Sequence, residues 1–202
     1  MTSQERGKQT RQRILEAAAA GFMEHGYDAT GVAEICSRAG VTKGGFYHHF
    51  PSKQAVFLAL LENWLIGLKK QMQTASTIAD TVPAEFLQMA STVKQVFQAA
   101  SGRLPIFLEF LMEARHDPVV WQATIAPYRE FCAFFASMVE RGIAEGTLQA
   151  VDPQMAGKVI VSLAVGLVLQ GVLDPEGADW GEVAAEGMRV LLWGLQYKPC
   201  GK

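Results

Sequence analysis

Residues 30–53, TGVAEICSRAGVTKGGFYHHFPSK, decide the fold of the N-terminal part of the chain. Two short stretches with helical periodicity lie on either side of Gly40, which ends the first of them. Thr30 is the candidate N-cap of the first helix, and Thr42 can cap a second helix that runs to about His49. Two short helices joined by a tight turn are typical of a helix-turn-helix, a motif that places its second helix in the major groove of DNA.

The two sides of these helices differ in composition. The side expected to pack against a preceding helix is apolar: Val32, Ile35, Ala39, Val41 and Phe46. The opposite side of the second helix presents small and polar residues: Thr42, Lys43, Gly44, Gly45, Tyr47 and His48. Each glycine costs a helix interior about 1 kcal/mol, so the Gly44-Gly45 pair suggests a close approach of the backbone to a duplex. Tyr47, His49 and Lys53 are donors suited to phosphates.

The remainder of the chain also predicts helices. Ile14, Leu15, Ala18 and Phe22 fall on one face of a first helix, and a left-handed C-cap is expected at Gly26. Further helices are expected from Lys53 to about Thr74, Pro83 to about Ala100, Ile106 to Arg115, Pro118 to about Glu145, Pro153 to Leu173 and Ala178 to about Tyr197. No stretch alternates with the period of a strand, so the chain is predicted to be all-α with about nine helices.

Three groups of residues resemble a known family. They are Ile14-Leu15-x-Ala17-Ala18 with Phe22 and Gly26-Tyr27, then Ala39-Gly40-Val41-Thr42-Lys43-Gly44, and then Phe46-Tyr47-x-His49-Phe50-x-Ser52-Lys53. Over residues 10–60 the chain resembles the DNA-binding domain of the TetR family of bacterial repressors. Residues 31–36 depart from the family pattern, which often has a second Thr or Ser there and Ala at position 36. The resemblance implies a helix-turn-helix domain over 1–52 and a helical ligand-binding and dimerisation domain over 53–202.

The resemblance also implies roles for single side chains. Phosphate contacts are expected from Thr30, Thr42, Tyr47, His49 and Lys53, and base edges are expected to face Lys43, Gly44, Gly45 and His48. Tyr47 has an alternative, in which its ring packs against the next helix. The basic N-terminal arm, with Arg6, Lys8, Arg11 and Arg13, is either a solvated tail or a reader of the minor groove. A metal site at His48-His49 is disfavoured because neighbouring helical residues point about 100° apart.

Residues 159–173 form the longest apolar stretch, which predicts a helix surrounded by others. The stretch is shorter than the ~18–20 residues of a membrane span. A homodimer is expected because operators read by a helix-turn-helix are usually two-fold symmetric. Its interface is predicted on the last two helices, at Val161, Val165, Val168, Leu191 and Leu192. The resemblance implies a four-helix interface in the same place, and the alternative is that this helix is the core of a single subunit.

The middle helices are rich in aromatic residues. Such helices are commonly plain core, but the resemblance implies that this region lines a ligand cavity. The candidate lining residues are Trp64, Phe86, Phe107, Phe110, Leu111, Arg115, Trp121, Tyr128, Phe131 and Phe135. This composition suits a small, largely apolar effector, which would release a repressor from a palindromic operator by favouring another arrangement of the recognition helices.

The composition agrees with a folded regulator. The 202 residues are 50% hydrophobic and 19% charged with a net charge of -2, which argues against disorder. Seven basic and five acidic residues occur up to Lys53, against eleven and fifteen after it, as expected for a DNA-facing end. Cys36, Cys132 and Cys200 are odd in number and widely spaced, so reduced thiols in the cytoplasm are expected. The N-terminus does not have the pattern of a signal peptide.

Motifs of enzymes are missing from the sequence. There is no glycine-rich phosphate loop, nucleophile elbow or metal-ligand spacing, so neither catalysis nor a cofactor is expected. The expected partners are double-stranded operator DNA, a small-molecule effector and a second copy of the chain, without a membrane. A helical ligand-binding protein that has lost DNA binding is an alternative, which Thr42, Tyr47, His49 and Lys53 disfavour.

Overall fold

The computed structural model describes residues 2–76, 79–101 and 103–196, and the side chains of all of these except 3, 73–76 and 92–101. Within these ranges the regular structure is helical: α1 (Ser3–His25), α2 (Val32–Ala39), α3 (Lys43–His49), α4 (Lys53–Ser76), α5 (Val82–Ser101), α6 (Leu104–Ala114), α7 (Pro118–Ala144), α8 (Pro153–Leu173) and α9 (Trp180–Leu195). The all-α fold is therefore confirmed. Tyr197, the expected end of the last helix, and Cys200 lie outside the described residues.

Helix α1 begins far earlier than the polar N-terminus suggests. The Thr2 hydroxyl accepts the N–H of Glu5 at 3.2 Å, and the Glu5 carboxylate accepts the N–H of Thr2 at 2.6 Å. This reciprocal pair is a capping box, which satisfies N–H groups that a helix start leaves without partners. The predicted N-terminal arm is consequently helical, and its basic residues lie on the N-terminal half of α1.

The chain packs into two compact units. The first contains Met1–Ile66 with Gly102–Ile125, and the second contains Gly67–Ser101 with Ala126–Lys202. Helices α4 and α7 contribute to both units, and α6 belongs to the unit that holds the helix-turn-helix. The predicted domains meet at residues 52 and 53, so the packing boundary and the expected functional boundary are different.

Aromatic rings at the centre of the first unit join α1, α4 and α6. Phe57 of α4 stacks on Phe110 of α6 with ring centroids 4.0 Å apart. Tyr27, in the turn after α1, meets these two rings edge-on at 5.4 and 5.1 Å. Aromatic pairs in such geometries add about 0.5–1.5 kcal/mol beyond the burial of their surface. The contacts of Phe110 with Tyr27 and Phe57 therefore attach α6 to the core of the first unit.

The second unit is a helical bundle in which α9 packs along α5 and both pack against α8. Its buried side chains include Phe86, Phe135, Met138, Leu148 and Ile160. A Cβ at Gly157 would lie 2.6 Å from the carbonyl oxygen of Cys132, so glycine allows α7 and α8 to approach closely. The Glu85 carboxylate accepts two N–H groups of Arg141 at 3.2 and 2.7 Å, which joins α5 to α7.

Helix α8 is long and apolar, and much of it is exposed. By length and composition alone it could cross a membrane, with a mean hydropathy of 1.9 over 18 of its 21 residues. One such helix is weak evidence for a membrane protein, because core and interface helices share this composition. Only 28% of these 18 residues are buried within the subunit. The other helices of one chain therefore do not surround α8 as the sequence predicts.

Candidate DNA-binding surface

The turn between α2 and α3 is held by backbone hydrogen bonds and one arginine. Gly40 has a left-handed conformation, with φ 62° and ψ 44°, and its N–H donates to the last turn of α2. The N–H of Val41 donates to the carbonyl of Cys36 at 3.0 Å. Arg13 of α1 donates to the carbonyl oxygens of Ala39 and Gly40. The turn predicted at Gly40 is present, and it is tied to α1.

Helix α3 is oriented by its cap and by one buried side chain. Thr42 caps the helix as predicted, because its Oγ1 accepts the N–H of Gly45 at 3.1 Å. Phe46 is fully buried, and its ring lies 6.3 Å from that of Phe50. Burial of Phe46 fixes the rotation of α3 about its axis, so the opposite side of the helix faces solvent.

That solvent-facing side carries most of the predicted DNA contacts. Thr42, Lys43, Gly44, Tyr47 and His48 are exposed, and Gly45 and His49 are half-buried. The helix therefore presents two adjacent glycines between a lysine and a pair of aromatic donors. Because two successive positions lack side chains, the helix backbone can approach the base edges of a DNA groove closely, while the flanking donors reach bases and phosphates.

Packing within the subunit does not require a glycine at position 44. A Cβ there would meet the Thr42 Oγ1 at 3.9 Å, which is an ordinary van der Waals distance. At Gly45 the nearest atom is the same oxygen, at 3.4 Å. The fold alone thus leaves Gly44 unexplained, and the close approach of a duplex at this position stays a prediction.

The aromatic donors of α3 differ in their surroundings. Tyr47 is 53% exposed and meets Phe46 of its own helix edge-on at 5.3 Å, which disfavours packing of its ring against the next helix. The rings of His48 and His49 lie 5.1 Å apart. Partial burial lowers the pKa of His49, and the charges of His48 and Arg11 lower it further. Across the described part of the chain, no three His, Cys, Asp or Glu residues are grouped to hold a metal ion.

The structure corrects the predicted role of Thr30. Its side chain is fully buried, and its hydroxyl donates to the carbonyl oxygen of Gly26 at 2.8 Å. The N-cap of α2 is Gly31, which has no side chain with which to cap. Thr30 therefore joins the start of α2 to the end of α1 and has no exposed surface for a phosphate.

In the free subunit, the ammonium group of Lys53 contacts Tyr27 of the same chain. Its Nζ donates to the carbonyl oxygen of Tyr27 at 2.8 Å and lies 4.2 Å from the centroid of the Tyr27 ring. Burial lowers the pKa of Lys53, and the charges of Asp28, Glu113 and Glu109 partly oppose this shift. A DNA phosphate would have to replace these contacts, so the phosphate contact of Lys53 stays a prediction with a structural alternative.

The basic residues of α1 fall into two groups. Arg13 is engaged with the turn, and the guanidinium of Arg11 lies 4.9 Å from the centroid of the Phe50 ring, a cation–π contact. Arg6 and Lys8 are exposed on earlier turns. Arg6 and Lys8, rather than Arg13, are therefore available to contact a neighbouring DNA groove.

Six of the ten predicted ligand-cavity residues belong to the first unit: Trp64, Phe107, Phe110, Leu111, Arg115 and Trp121. Phe110 is fully buried and stacks on Phe57, so its ring belongs to the core of the first unit, and its role as a cavity wall stays a prediction. Trp64, Phe107 and Trp121 are half-buried and pack against the same core. Leu111 is half-buried and Arg115 is exposed.

The other four belong to the second unit: Phe86, Tyr128, Phe131 and Phe135. Phe86 and Phe135 are buried and stack at 6.0 Å, so their rings belong to the core of the second unit, and their roles as cavity walls stay predictions. Phe131 is half-buried and Tyr128 is exposed. A hydrogen bond with Cys132 raises the pKa of Tyr128. The ten residues are thus divided between two units, and eight of them are buried or half-buried.

The predicted dimer residues separate into two sets. Val161 and Leu192 are only 5% and 3% exposed, so they belong to the core of the subunit, and their prediction as interface residues is corrected. Val165 is exposed, and Val168 and Leu191 are half-buried.

An exposed apolar face on α8 and α9 contains residues that the prediction missed. This α8–α9 face comprises Val159, Val165, Leu169, Leu173, Val183, Val190 and Trp193. At 100° per residue, the four valine and leucine positions on α8 lie within an arc of about 120°. Helix α8 is apolar on nearly every side, so no local signal in its sequence separates these positions from the buried ones.

Comparisons with known proteins agree with this architecture. Residues 14–60 match the family model for tetR-family bacterial regulatory proteins, and residues 88–191 match the model for the C-terminal domain of BetI-type transcriptional repressors. The chain therefore belongs to the tetR family of bacterial transcriptional regulators.

Individual relatives are distant but cover most of the chain. The A-factor receptor protein of Streptomyces griseus is 28% identical over 204 residues, which span 95% of this chain and 66% of the receptor. The regulator UidR of Escherichia coli K12 is 24% identical over 191 residues, 92% of each protein. The structure of FadR from Bacillus subtilis in complex with stearoyl-CoA has a TM-score of 0.74 at 19% identity, covering 92% of this chain and 99% of FadR.

Proposed function

We propose that the protein is a transcriptional repressor that binds a palindromic operator as a homodimer and is released by a small, largely apolar ligand. The observation that carries the proposal is the presentation of α3, with Phe46 buried on one side and Lys43, Gly44 and Tyr47 exposed on the other. A helix presented in this way can lie in the major groove, where Lys43 donates to guanine and Tyr47 binds a phosphate.

A mobility-shift assay with DNA that flanks the protein's own gene tests the proposal. A fragment with an inverted repeat is expected to shift, and Lys43→Ala with Tyr47→Ala is expected to abolish the shift. Lys69→Ala is the matched control, because Lys69 is an exposed lysine of the second unit. If folded wild-type protein shifts no flanking fragment at low salt, the proposed repressor function fails, and the alternative of a helical ligand-binding protein that has lost DNA binding is favoured.

Repression, as opposed to activation, is tested with a promoter–reporter fusion that carries the shifted fragment. Reporter expression is expected to rise when the protein is absent. A fall in expression would identify an activator and contradict the proposed sign of regulation, while leaving DNA binding intact.

The α8–α9 face supports the homodimer. Large apolar side chains exposed together along one side of a helix are uncommon on stable monomers and mark an interaction site. A second copy of the same face is self-complementary under two-fold symmetry, and the resulting four helices would cover the exposed side of α8. A two-fold dimer would also match a two-fold operator.

An apolar ligand is supported by the half-buried aromatic side chains of the first unit, Trp64, Phe107 and Trp121. Stearoyl-CoA, the ligand of the FadR structure, is a suitable first probe. Titration of stearoyl-CoA is expected to change tryptophan fluorescence and to release the shifted DNA. Trp121→Phe should reduce the fluorescence change, and Trp180→Phe on α9 is the control. No response to stearoyl-CoA or to free stearate would exclude a long-chain acyl ligand.

A further inference from the structure

Peptide groups beside Tyr27 bring together the ends of several helices of the first unit. The carbonyl of Gly26 accepts the Thr30 hydroxyl just before α2, at 2.8 Å. The N–H of Tyr27 donates to Oε2 of Glu109 in α6 at 2.7 Å, and its carbonyl accepts from Nζ of Lys53 at the start of α4 at 2.8 Å. These three hydrogen bonds, here called the Tyr27 junction, connect α1, α2, α4 and α6 within two residues of chain.

Space for the Glu109 carboxylate depends on Gly26. Gly26 has a φ of 83°, a conformation that side chains disfavour. A Cβ at this position would also lie 2.9 Å from Oε2 and 3.1 Å from Oε1 of Glu109. Any other residue at position 26 would therefore be strained and would displace the carboxylate. The glycine serves the contact with α6 as well as the end of α1.

Helix α6 holds the junction by two different kinds of contact. Phe110 stacks on Phe57, and stacked apolar rings keep most of their attraction when one slides over the other. The adjacent Glu109 binds a single N–H, and hydrogen bonds weaken steeply when they lengthen or bend. A bond to a carboxylate is also about twice as strong as one between neutral groups. The hydrogen bond of Glu109 therefore adds a directional restraint on where α6 lies along the stack.

We propose that Glu109 is a positioning residue for DNA recognition, which acts through the Tyr27 amide to set how α3 is presented. The inference rests on the proposed function. When α6 moves far enough to break this hydrogen bond, only the hydrogen bonds of Thr30 and Lys53 remain in the Tyr27 junction. The starts of α2 and α4 are then no longer held in a fixed position relative to α6. The effect falls on the geometry with which two copies of α3 meet two half-sites, and not on the contacts of each α3 with bases.

Spacing between half-sites gives a readout that a merely stabilising residue would not change. Selection from random duplexes first identifies the half-sites that the wild-type protein binds. The same half-sites are then placed in duplexes that differ by single base pairs in spacing, and affinity is measured by fluorescence anisotropy. Glu109→Ala is expected to lose about tenfold at the preferred spacing and less than about threefold at neighbouring spacings. Glu113→Ala, which removes the same charge one turn further along α6, is expected to keep the wild-type preference.

Equal losses at every spacing would show that Glu109 only stabilises the fold and would overturn the proposal, as would an unchanged preference. If the wild-type protein selects no duplex, the proposed function itself fails, which is a distinguishable outcome.

Two further variants test the positioning role of Glu109 if Glu109→Ala does not fold. Glu109→Gln keeps an acceptor oxygen and is expected to keep most of the preference, whereas Glu109→Asp is too short to reach Tyr27 and should behave like alanine. Hydrogen exchange of the Tyr27 amide is expected to be slow in the wild-type protein and faster in Glu109→Asp. Identical exchange in both proteins would contradict the proposed bond.

Discussion

Nζ of Lys53 lies 2.8 Å from the carbonyl oxygen of Tyr27, whereas Lys43 is exposed at the start of α3. The sequence predicts a DNA contact for both lysines, so they form a matched pair. Because Lys43 is solvated in the free protein and is expected to donate to a guanine, Lys43→Met is expected to weaken operator binding by about 1–3 kcal/mol with little change in Tm, and to relax specificity at that base pair. Titrations of operators with each base pair substituted in turn measure the effect, and an unchanged affinity and specificity would remove Lys43 from the set of contacts.

Lys53→Met is expected to act on stability instead. The Tyr27 carbonyl loses its donor and the ring loses its cation, which costs about 1–2 kcal/mol for this half-buried group. Thermal unfolding should show the loss, and the salt slope should stay close to that of the wild-type protein. A slope of log K against log salt that falls by about 0.9, at unchanged Tm, would show that Lys53 leaves Tyr27 for a phosphate.

Gly44→Ala is expected to separate stability from binding. Because a Cβ fits at this position, alanine should stabilise the free protein by up to about 1 kcal/mol through its higher helix propensity. The added methyl group should weaken operator binding by about tenfold or more, which is about 1.4 kcal/mol. Gly67→Ala in α4 is the control, since a Cβ there meets nothing within 4 Å and DNA is not expected at that site. Unchanged operator affinity of Gly44→Ala would refute a close approach of the duplex.

Operator affinity is expected to rise as the pH falls from about 8 to about 5.5, because a phosphate favours the charged imidazole of His49. Burial, His48 and Arg11 lower the pKa of His49 in the free protein, so the complex takes up a proton on binding. Each proton taken up changes affinity by at most about tenfold per pH unit. Anisotropy titrations across this range measure the effect. His49→Gln should flatten the curve, and a flat curve for the wild-type protein would exclude His49 as a phosphate contact.

The stability of the free protein should change with pH in the opposite direction. A folded pKa below the unfolded value means that the unfolded chain binds more protons, so stability rises with pH in this range. The contribution of His49 is complete above the unfolded pKa of about 6.5 and falls as the pH drops through it. Thermal unfolding of wild-type and His49→Gln proteins at several pH values checks this sign.

The α8–α9 face makes a specific prediction about assembly. Val165→Glu and Trp193→Glu place a charge on this face and should convert a dimer into folded monomers of 22.0 kDa in sedimentation. Leu167→Glu is the contrasting variant, because Leu167 is buried and its replacement should unfold the second unit. A dimer that survives Val165→Glu and Trp193→Glu would place the interface on another surface.

Local signals in the sequence predicted the helix-turn-helix well. The bounds of α3 follow from Thr42, which caps it, and from Pro51 just beyond it, and the end of α2 follows from Gly40. The early start of α1 is also predictable from the sequence, because Thr2 and Glu5 have the spacing of a capping box. The polar composition of this segment favours a solvated tail instead, and the capping box is the signal that the structure confirms.

The features that the sequence did not predict depend on tertiary packing. Glu109 and Tyr27 are 82 positions apart, and no local pattern connects them. In the apolar helix α8, Val161 and Val165 are chemically identical, and only the neighbouring helices decide that the first is buried and the second exposed. Most of the aromatic residues predicted to line one cavity are divided between two cores for the same reason, since composition does not say which rings stack on each other.

Because α6 is held in the unit of the helix-turn-helix, the first 52 residues do not form an exchangeable module. A chimaera joined at residue 52 would combine the Tyr27 amide of one parent with the α6 of another, and would separate Gly26 from the carboxylate for which it makes room. Engineers who wish to transfer the operator specificity of this regulator to a different sensor should therefore exchange residues 1–66 together with 102–125.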